Sequence, residues 1–476
     1  MHISLHAGIL LSLILIFSST TVSAQGSLNI PATVAPSFAP ATPAPATVPT
    51  AVLSPPVSSG WVPSDAIPSV AIPSTAASPA ISPGAISIEV LQRLGLEANG
   101  LVRAARSQVG IAESGVIAAA AYPNPQVTAI VGPQVARIPA ANPANSERYV
   151  TVSQALENPF MRSARIGSAE AGVEASRAGL DQVRADLAAQ LRVRAYELLL
   201  RKEIALMEAG VFDLMNEVRR RIKVSVDVGE TARFELIRAD AEVLNAASRK
   251  EAAQLNAQRA RVMLIQLTAG VLKSDFEINA ALNDPVQLPA LEVLRQEVPA
   301  VNPEILRLQA EQERTRLRID QERASVIPSV SILVTNYQDA QYNANMAGMN
   351  VTVPLLYRRR GEIDAAVFDY ERVRETLEYR RFEVGQLLES AWQSLQIAQR
   401  RVEMFEGGIV KEAEAALRVA QAAYRFGERG LIEVLDSQRV LRGILAEFLQ
   451  ARFDLQAAVA EIDRLRAYYP KEQVTE

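Results

Sequence analysis

One seven-residue pattern, interrupted once and used twice, constrains this chain more than any other feature. Apolar residues fall at Ile166, Val173, Leu180 and Leu187, the spacing drops to four, and seven-residue steps resume through Leu191, Leu198, Ala205 and Phe212. The same pattern with the same interruption runs through Ile363, Tyr370, Leu377 and Val384, then Leu388, Leu395, Val402 and Ile409. A heptad repeat places one apolar stripe along a helix, and a four-residue stutter locally relaxes the left-handed supercoil that strict heptads impose. Two helices that share one stutter are suited to lie side by side in a single superhelical wall. An ordinary coiled-coil rod explains the seam but not what surrounds it.

Each seam belongs to a larger duplicated unit. From Ser87 onward the sequence is rich in the helix formers Ala, Leu, Glu, Arg and Gln. The first copy opens on Glu97-Ala98-Asn99-Gly100-Leu101 and a helix that ends at Tyr122-Pro123-Asn124-Pro125-Gln126-Val127. The second opens on Ala300-Val301-Asn302-Pro303-Glu304 and a helix that ends at Ile327-Pro328-Ser329-Val330, so Asn99 matches Asn302 and Pro125 matches Pro328. Two β-like runs follow, Val150-Thr151-Val152 and Val351-Thr352-Val353, each ahead of a long helix. Those helices, at roughly 65 residues each, span on the order of 100 Å. They end at matched turns, Asp227-Val228-Gly229-Glu230 and Arg425-Phe426-Gly427-Glu428. A helix returns from each turn, over about Arg233 to Thr268 and about Leu431 to Tyr468.

Composition removes most chemistries. The 476 residues carry a formal net charge of -4, no cysteine, and two histidines, His2 and His6. Both fall in a predicted signal peptide, residues 1–24, whose apolar stretch Ile9 to Phe17 is too short to span a bilayer and leads into the small-residue site Val22-Ser23-Ala24. A mature chain without His or Cys has no histidine general base, thiol nucleophile, Cys or His zinc site, iron–sulfur cluster or disulfide. Scattered Asp and Glu still permit carboxylate chemistry, but no spacing marks a pocket, so no enzyme, cofactor, metal centre or catalytic residue is expected. The weak net charge also argues against a nucleic-acid partner, which demands a concentrated basic face. Thirteen of the 26 prolines lie between Pro31 and Pro83, so residues 25–86 are expected to form an extended Pro/Ala/Ser-rich linker. The remainder divides into a first repeat, 87–292, and a second, 293–469, with 470–476 as a tail. Strand pairs are expected at about 125–155 and 328–356, and hairpin tips at 227–232 and 425–430.

The fold class that follows is mainly α with a small β part. After the leader no run of eighteen or more apolar residues offers a transmembrane helix. Stretches Arg148 to Gln154, Ser329 to Thr335 and Met349 to Leu355 alternate, Gln126 to Val131 does so imperfectly, and Tyr122, Tyr149, Phe160, Tyr337 and Tyr357 flank them as an interfacial girdle would. Four strands cannot close a membrane barrel, for which about eight is the minimum, and lipid tolerates no open sheet edge. Strands placed in a membrane thus require an oligomer.

The duplicated order of helix, strand, loop, strand, long helix, Gly turn and helix, over about Ser87 to Tyr469, resembles the TolC-like outer-membrane efflux protein family. Tyr122-Pro123-Asn124-Pro125 and Asn302-Pro303-Glu304-Ile305-Leu306 are similar to its CzcC-like cation-efflux branch. Tyr424-Arg425-Phe426-Gly427-Glu428 through Glu433-Val434-Leu435-Asp436-Ser437-Gln438 resembles the family's second-tip motif. The resemblance implies a homotrimer in which four strands per chain assemble one outer-membrane β-barrel, surrounded by outer-membrane lipid, above a long α-helical barrel crossing the periplasm. It implies as partners a periplasmic adaptor (membrane fusion) protein and an inner-membrane pump of the resistance-nodulation-division type. It places a channel gate at Glu433 and Asp436, whose threefold copies would form an acidic constriction, and a latch of Glu235 with Tyr424 and Arg429. Arg238 stands where copy one could have held a second carboxylate, and Glu rather than the commoner Asp stands at 235 and 433. Adaptor docking is expected on the tips, at Val228, Gly229 and Glu230 and at Phe426, Gly427 and Glu428, although helix capping explains the two glycines equally well.

Three other functions share some of these features. A periplasmic adaptor has one long hairpin rather than two, and a structural coiled coil needs neither strands nor matched turns. The outer channel of a type I secretion or drug-efflux system would share the whole layout. The substrate is not written in the sequence: Met346 and Met349 near one loop form no metal-binding cluster, and metal cations are suggested by the resemblance alone.

Overall fold

The computed structural model describes residues 85–134, 145–339 and 342–470. The expected signal peptide, nearly all of the linker and residues 471–476 of the tail lie outside them. The linker's last two residues, Ala85–Ile86, form a short strand, β1, that pairs in parallel with β4, Glu277–Ile278. The described residues thus include the last two of the expected linker, paired within the fold.

The first repeat comprises α1 (Ile88–Ala98), α2 (Gly100–Ala120), β2 (Gln126–Gln134), β3 (Asn145–Leu156), α3 (Pro159–Asp227) and α4 (Arg233–Leu267). The second comprises α5 (Leu291–Val301), α6 (Pro303–Ala324), β5 (Ser329–Gln338), β6 (Asn343–Thr352), α7 (Arg360–Met404), a π-helical segment (Phe405–Ile409), α8 (Val410–Arg425) and α9 (Leu431–Leu465). The asparagines matched in sequence are matched in structure. Asn99 Oδ1 accepts from Leu101 N at 2.8 Å, capping α2, while its Nδ2 donates to Leu267 O at 2.9 Å, the end of α4. Asn302 does the same for α6 and α9, accepting from Glu304 N at 3.1 Å and donating to Leu465 O at 2.9 Å. One buried side chain thus satisfies backbone groups orphaned at two helix ends.

Two equivalent cores follow. Leu91, Val102, Leu187, Leu191, Leu198 and Leu264 pack together in the first repeat, and Leu294, Ile305, Leu377, Leu388, Leu395 and Ile462 in the second. The stutter positions Leu191 and Leu388 are almost completely buried in both. On α4 the inward residues are Ala239, Ala246, Ala253 and Ala260, seven apart, which permits a close approach to α3 while burying little area per residue.

The second long helix is not one continuous α-helix, contrary to expectation. Ile166 matches Ile363 and Leu187 matches Val384 at a constant offset, yet Gly229 matches Gly427 only if copy two holds one more residue. The π-helical turn at Phe405–Ile409 absorbs that residue, as π-bulges inside α-helices do. It also shifts the seam: Ile409 is exposed, and Val410 packs inward beside Leu417 and Leu445.

Strands order as β2-β3-β5-β6, antiparallel throughout, so β3 and β5 join the two repeats in one sheet. Among the described residues β2 and β6 each have a neighbour on one side only. No helix of the described residues is long and apolar enough to cross a membrane. The strand registers settle which residues share a face, because side chains alternate along each strand. Val127, Val152, Val334 and Ala347 stand in one row, and Leu156, Val330 and Val351 in another, on the same face. The opposite face is the more polar one: it carries Thr128, Thr151, Ser153, Ser331, Thr335 and Asn350, with Leu333 and Met346 among them, and Thr151 Oγ1 and Thr335 Oγ1 lie 2.9 Å apart. Ile130 falls on the polar face, which explains the imperfect alternation of β2. Near the β5–β6 turn the apolar face ends in a polar ladder, where Asn336 Nδ2 donates to Asn345 Oδ1 at 2.8 Å and Arg148 to Gln338 at 3.2 Å.

Candidate functional site

Both hairpin tips close by the same backbone device. Glu230 N donates to Ser225 O at 2.9 Å and Gly229 N to Val226 O at 3.1 Å; Glu428 N donates to Ala423 O at 3.0 Å and Gly427 N to Tyr424 O at 3.1 Å. This is the Schellman pattern, and it requires a left-handed residue, met by Gly229 at φ 83° and Gly427 at φ 72°. A Cβ at either glycine would meet nothing within 4 Å, so the dihedral rather than space selects glycine. Val228 and Phe426 are the cap residues beside them and are exposed, as are Glu230 and Glu428. The six tip residues expected to dock a partner thus form two small open surfaces, each apolar at its centre with a carboxylate alongside.

The tips pack against each other. Leu431 and Leu435 of α9 join Leu214, Val218 and Ile222 of α3 and Ala239 of α4 in one cluster, with Tyr424 at its margin. Burial raises the Tyr424 phenol above its ordinary range, and the nearby charge of Glu235 raises it further. Glu235, in the first turn of α4, has a buried Oε2 without a hydrogen-bond partner. Those two expected latch residues are therefore neighbours across the hairpin boundary. Arg429 is turned elsewhere: its Nη1 donates to Glu433 Oε1 at 3.0 Å and Oε2 at 3.1 Å, an exposed pair one helical turn apart. The three-membered latch is thus not assembled within the chain, because the short path from Arg429 to its own helix wins over a reach to α4. Asp436 is 70% exposed and lies 3.7 Å from Arg439, which also reaches Glu242 of α4. Arg238 stacks over the exposed Phe234 ring at 5.8 Å. Among the described residues no cluster of three or more His, Cys, Asp or Glu side chains could hold a metal ion.

A second cross-hairpin contact escaped the sequence expectations. Glu208 of α3 is 5% exposed; its Oε1 accepts from Arg442 Nη1 of α9 at 3.1 Å and its Oε2 lies 3.4 Å from Arg249 Nε of α4. The signal was available: Glu208 sits three residues after the seam position Ala205 and four before Phe212, an inward place that apolar residues normally fill. In copy two that place is held by Phe405, which packs on Phe448 at 5.7 Å.

Paired helical hairpins with a four-stranded sheet, one face of it mostly apolar and its edge strands unpaired on one side among the described residues, have the layout of TolC-like outer-membrane channels. A model of the outer membrane efflux protein family matches residues 294–469, the second repeat. The cobalt-zinc-cadmium resistance protein CzcC of Cupriavidus metallidurans is 24% identical over 391 residues, 81% of this chain and 91% of the relative. The outer membrane efflux protein BepC of Brucella suis is 22% identical over 371 residues, 76% and 80% of the two chains. The crystal structure of CusC superposes with a TM-score of 0.69 at 16% identity, covering 80% of this chain and 91% of that one. The second repeat thus matches the outer membrane efflux protein family, and most of the chain is similar to these relatives.

Proposed function

We propose that this protein is the outer-membrane channel of a tripartite efflux system, through which substrate moves passively from an inner-membrane pump and a periplasmic adaptor to the exterior. The observation that carries this function is the sheet. One face is mostly apolar, the other mostly polar, and among the described residues both sheet edges are unpaired, so copies of the chain can close a barrel with lipid outside and a wet lumen inside. Three copies supply twelve strands, and the long hairpins of the same three chains form the periplasmic tube.

The tips then do two jobs. Val228, Gly229 and Glu230, with Phe426, Gly427 and Glu428, meet the adaptor. Glu433 and Asp436, repeated by the threefold axis, form an acidic ring that concentrates cations and repels anions. Tyr424 against Glu235 holds the second hairpin to the first while the mouth is closed, and Arg429 acts through Glu433 rather than directly on Glu235. Similarity to CzcC, a cobalt-zinc-cadmium resistance protein, favours a system for metal cations, and the resemblance to the cation-efflux branch favours a pump of the resistance-nodulation-division type. Detergent-extracted protein inserted in a planar bilayer tests this function: discrete cation-selective conductance steps are expected. A protein extracted by buffer alone that leaves the bilayer silent would contradict it.

A further inference from the structure

The apolar face of β6 is short. From Ala347 to Val351 it covers roughly 14 Å at ~3.4 Å per residue, against the apolar band of about 25 Å on outer-membrane barrels. The chain just beyond β6 continues it: Val353, Leu355 and Leu356 are exposed, Tyr357 follows, also exposed, and then Arg358, Arg359 and Arg360. Along the chain this order is hydrocarbon, aromatic, cation, the order in which side chains cross from acyl chains through the interface to phosphates. The three arginines are not equivalent. Arg359, in a left-handed conformation at φ 53°, donates to Glu322 Oε2 of α6 at 2.6 Å, which fixes the segment to the helical body. Arg360 has a 90% exposed side chain and lies 3.7 Å from Asp364. Arg358 is exposed and has no ion pair among the described residues.

We propose that residues 353–360 form an anchor for anionic phospholipid in the periplasm-facing leaflet. Leu355 and Leu356 enter the acyl region, Tyr357 lies at the interface, and Arg358 and Arg360 hold the phosphate and its anionic headgroup. The proposal rests on the barrel placement given above. It is specific to copy two: the matching positions in copy one hold Asn158, Pro159, Phe160 and Met161, and the residue matching Arg359, Arg162, donates to Ala120 O at 2.6 Å. The anchor fixes the depth of the barrel in a chain that has no cysteine to carry a lipid.

The test is native mass spectrometry of the full-length, delipidated oligomer titrated with phosphatidylglycerol or phosphatidylcholine. The wild type is expected to retain phosphatidylglycerol in preference to phosphatidylcholine, and R358Q/R360Q to retain on the order of thirtyfold less phosphatidylglycerol, at about 1 kcal/mol for each of two basic side chains at an anionic surface. The charge-preserving R358K/R360K should restore most of it. Equal phosphatidylglycerol retention by wild type and R358Q/R360Q would overturn the proposal. So would dissociation of the R358Q/R360Q oligomer, which would show that a second copy rather than lipid covers the segment. A wild type that never inserts into vesicles would remove the barrel placement itself, and the lipid site with it.

Discussion

Glu208 of α3 and Arg442 of α9 meet at 3.1 Å across the boundary between the two hairpins, in a site where the carboxylate is almost wholly buried. Arg249 of α4 adds a second cation at 3.4 Å. Removing the carboxylate leaves two guanidinium groups facing each other without compensation. Glu208→Ala is expected to cost about 3 kcal/mol, the low end for a broken buried pair because both arginines are about one-third exposed. Chemical denaturation of the detergent-solubilised protein measures this, and a change below about 1 kcal/mol would assign the contact no structural weight.

The tip glycines give a cleaner energetic test. Since a Cβ at Gly229 or Gly427 meets nothing within 4 Å, alanine there pays only for the left-handed backbone, about 1–2 kcal/mol. Gly229→Ala and Gly427→Ala should therefore fold, show similar losses of stability, and weaken adaptor binding in a pull-down only as far as the turn distorts. Phe426→Ala leaves the turn intact and should weaken adaptor binding without a stability loss.

At the mouth, Glu235→Ala and Tyr424→Ala are expected to raise single-channel conductance, and the double variant to exceed neither by much, since both break one contact between hairpins. Arg429→Ala should have the smaller effect, because its pair with Glu433 is exposed and worth about 0–1 kcal/mol. Unchanged conductance in Glu235→Ala would remove the latch.

The two faces of the sheet should respond oppositely to charge. Ile332→Arg places a cation on the apolar face and should cost about 2–4 kcal/mol if it lies near the bilayer midplane. Ser331→Arg, one residue earlier on the polar face, should leave assembly intact and lower conductance. Heat-resistant oligomer on a gel and bilayer recording separate the two outcomes.

Alkaline stability has a predictable direction. Tyr196, buried beside Leu200 and Leu282, has its phenol pushed up to about 12, chiefly by burial. In the unfolded chain it ionises near 10, so between those values the native state holds the proton more tightly and stability falls as pH rises. Tyr196→Phe should flatten that decline between pH 10 and 12 in thermal melts.

Repeated seams, strand pairs and tip glycines were legible because each follows from a short-range rule: heptad spacing, alternation, or the demand for positive φ at a cap. The buried Asn99 and Asn302 were legible as a match but not as double caps, since their second partners, Leu267 and Leu465, are distant in sequence. Two features were missed for one reason. The π-helical turn at Phe405–Ile409 and the exposure of Ile409 depend on a single extra residue, which a pattern matched seven at a time absorbs unnoticed. The family resemblance sets Arg429 on Glu235, whereas its bond to Glu433 follows from ordinary one-turn spacing on a helix. Glu208 shows the converse: its inward position was readable, but not the two arginines that stabilise it.

All of these expectations depend on copies of the chain closing what one chain leaves open at β2 and β6. The mass of the detergent-extracted particle, measured by native mass spectrometry, tests that most directly. Three chains per particle is the predicted result, and a particle of one chain, or one that needs no detergent, would contradict it.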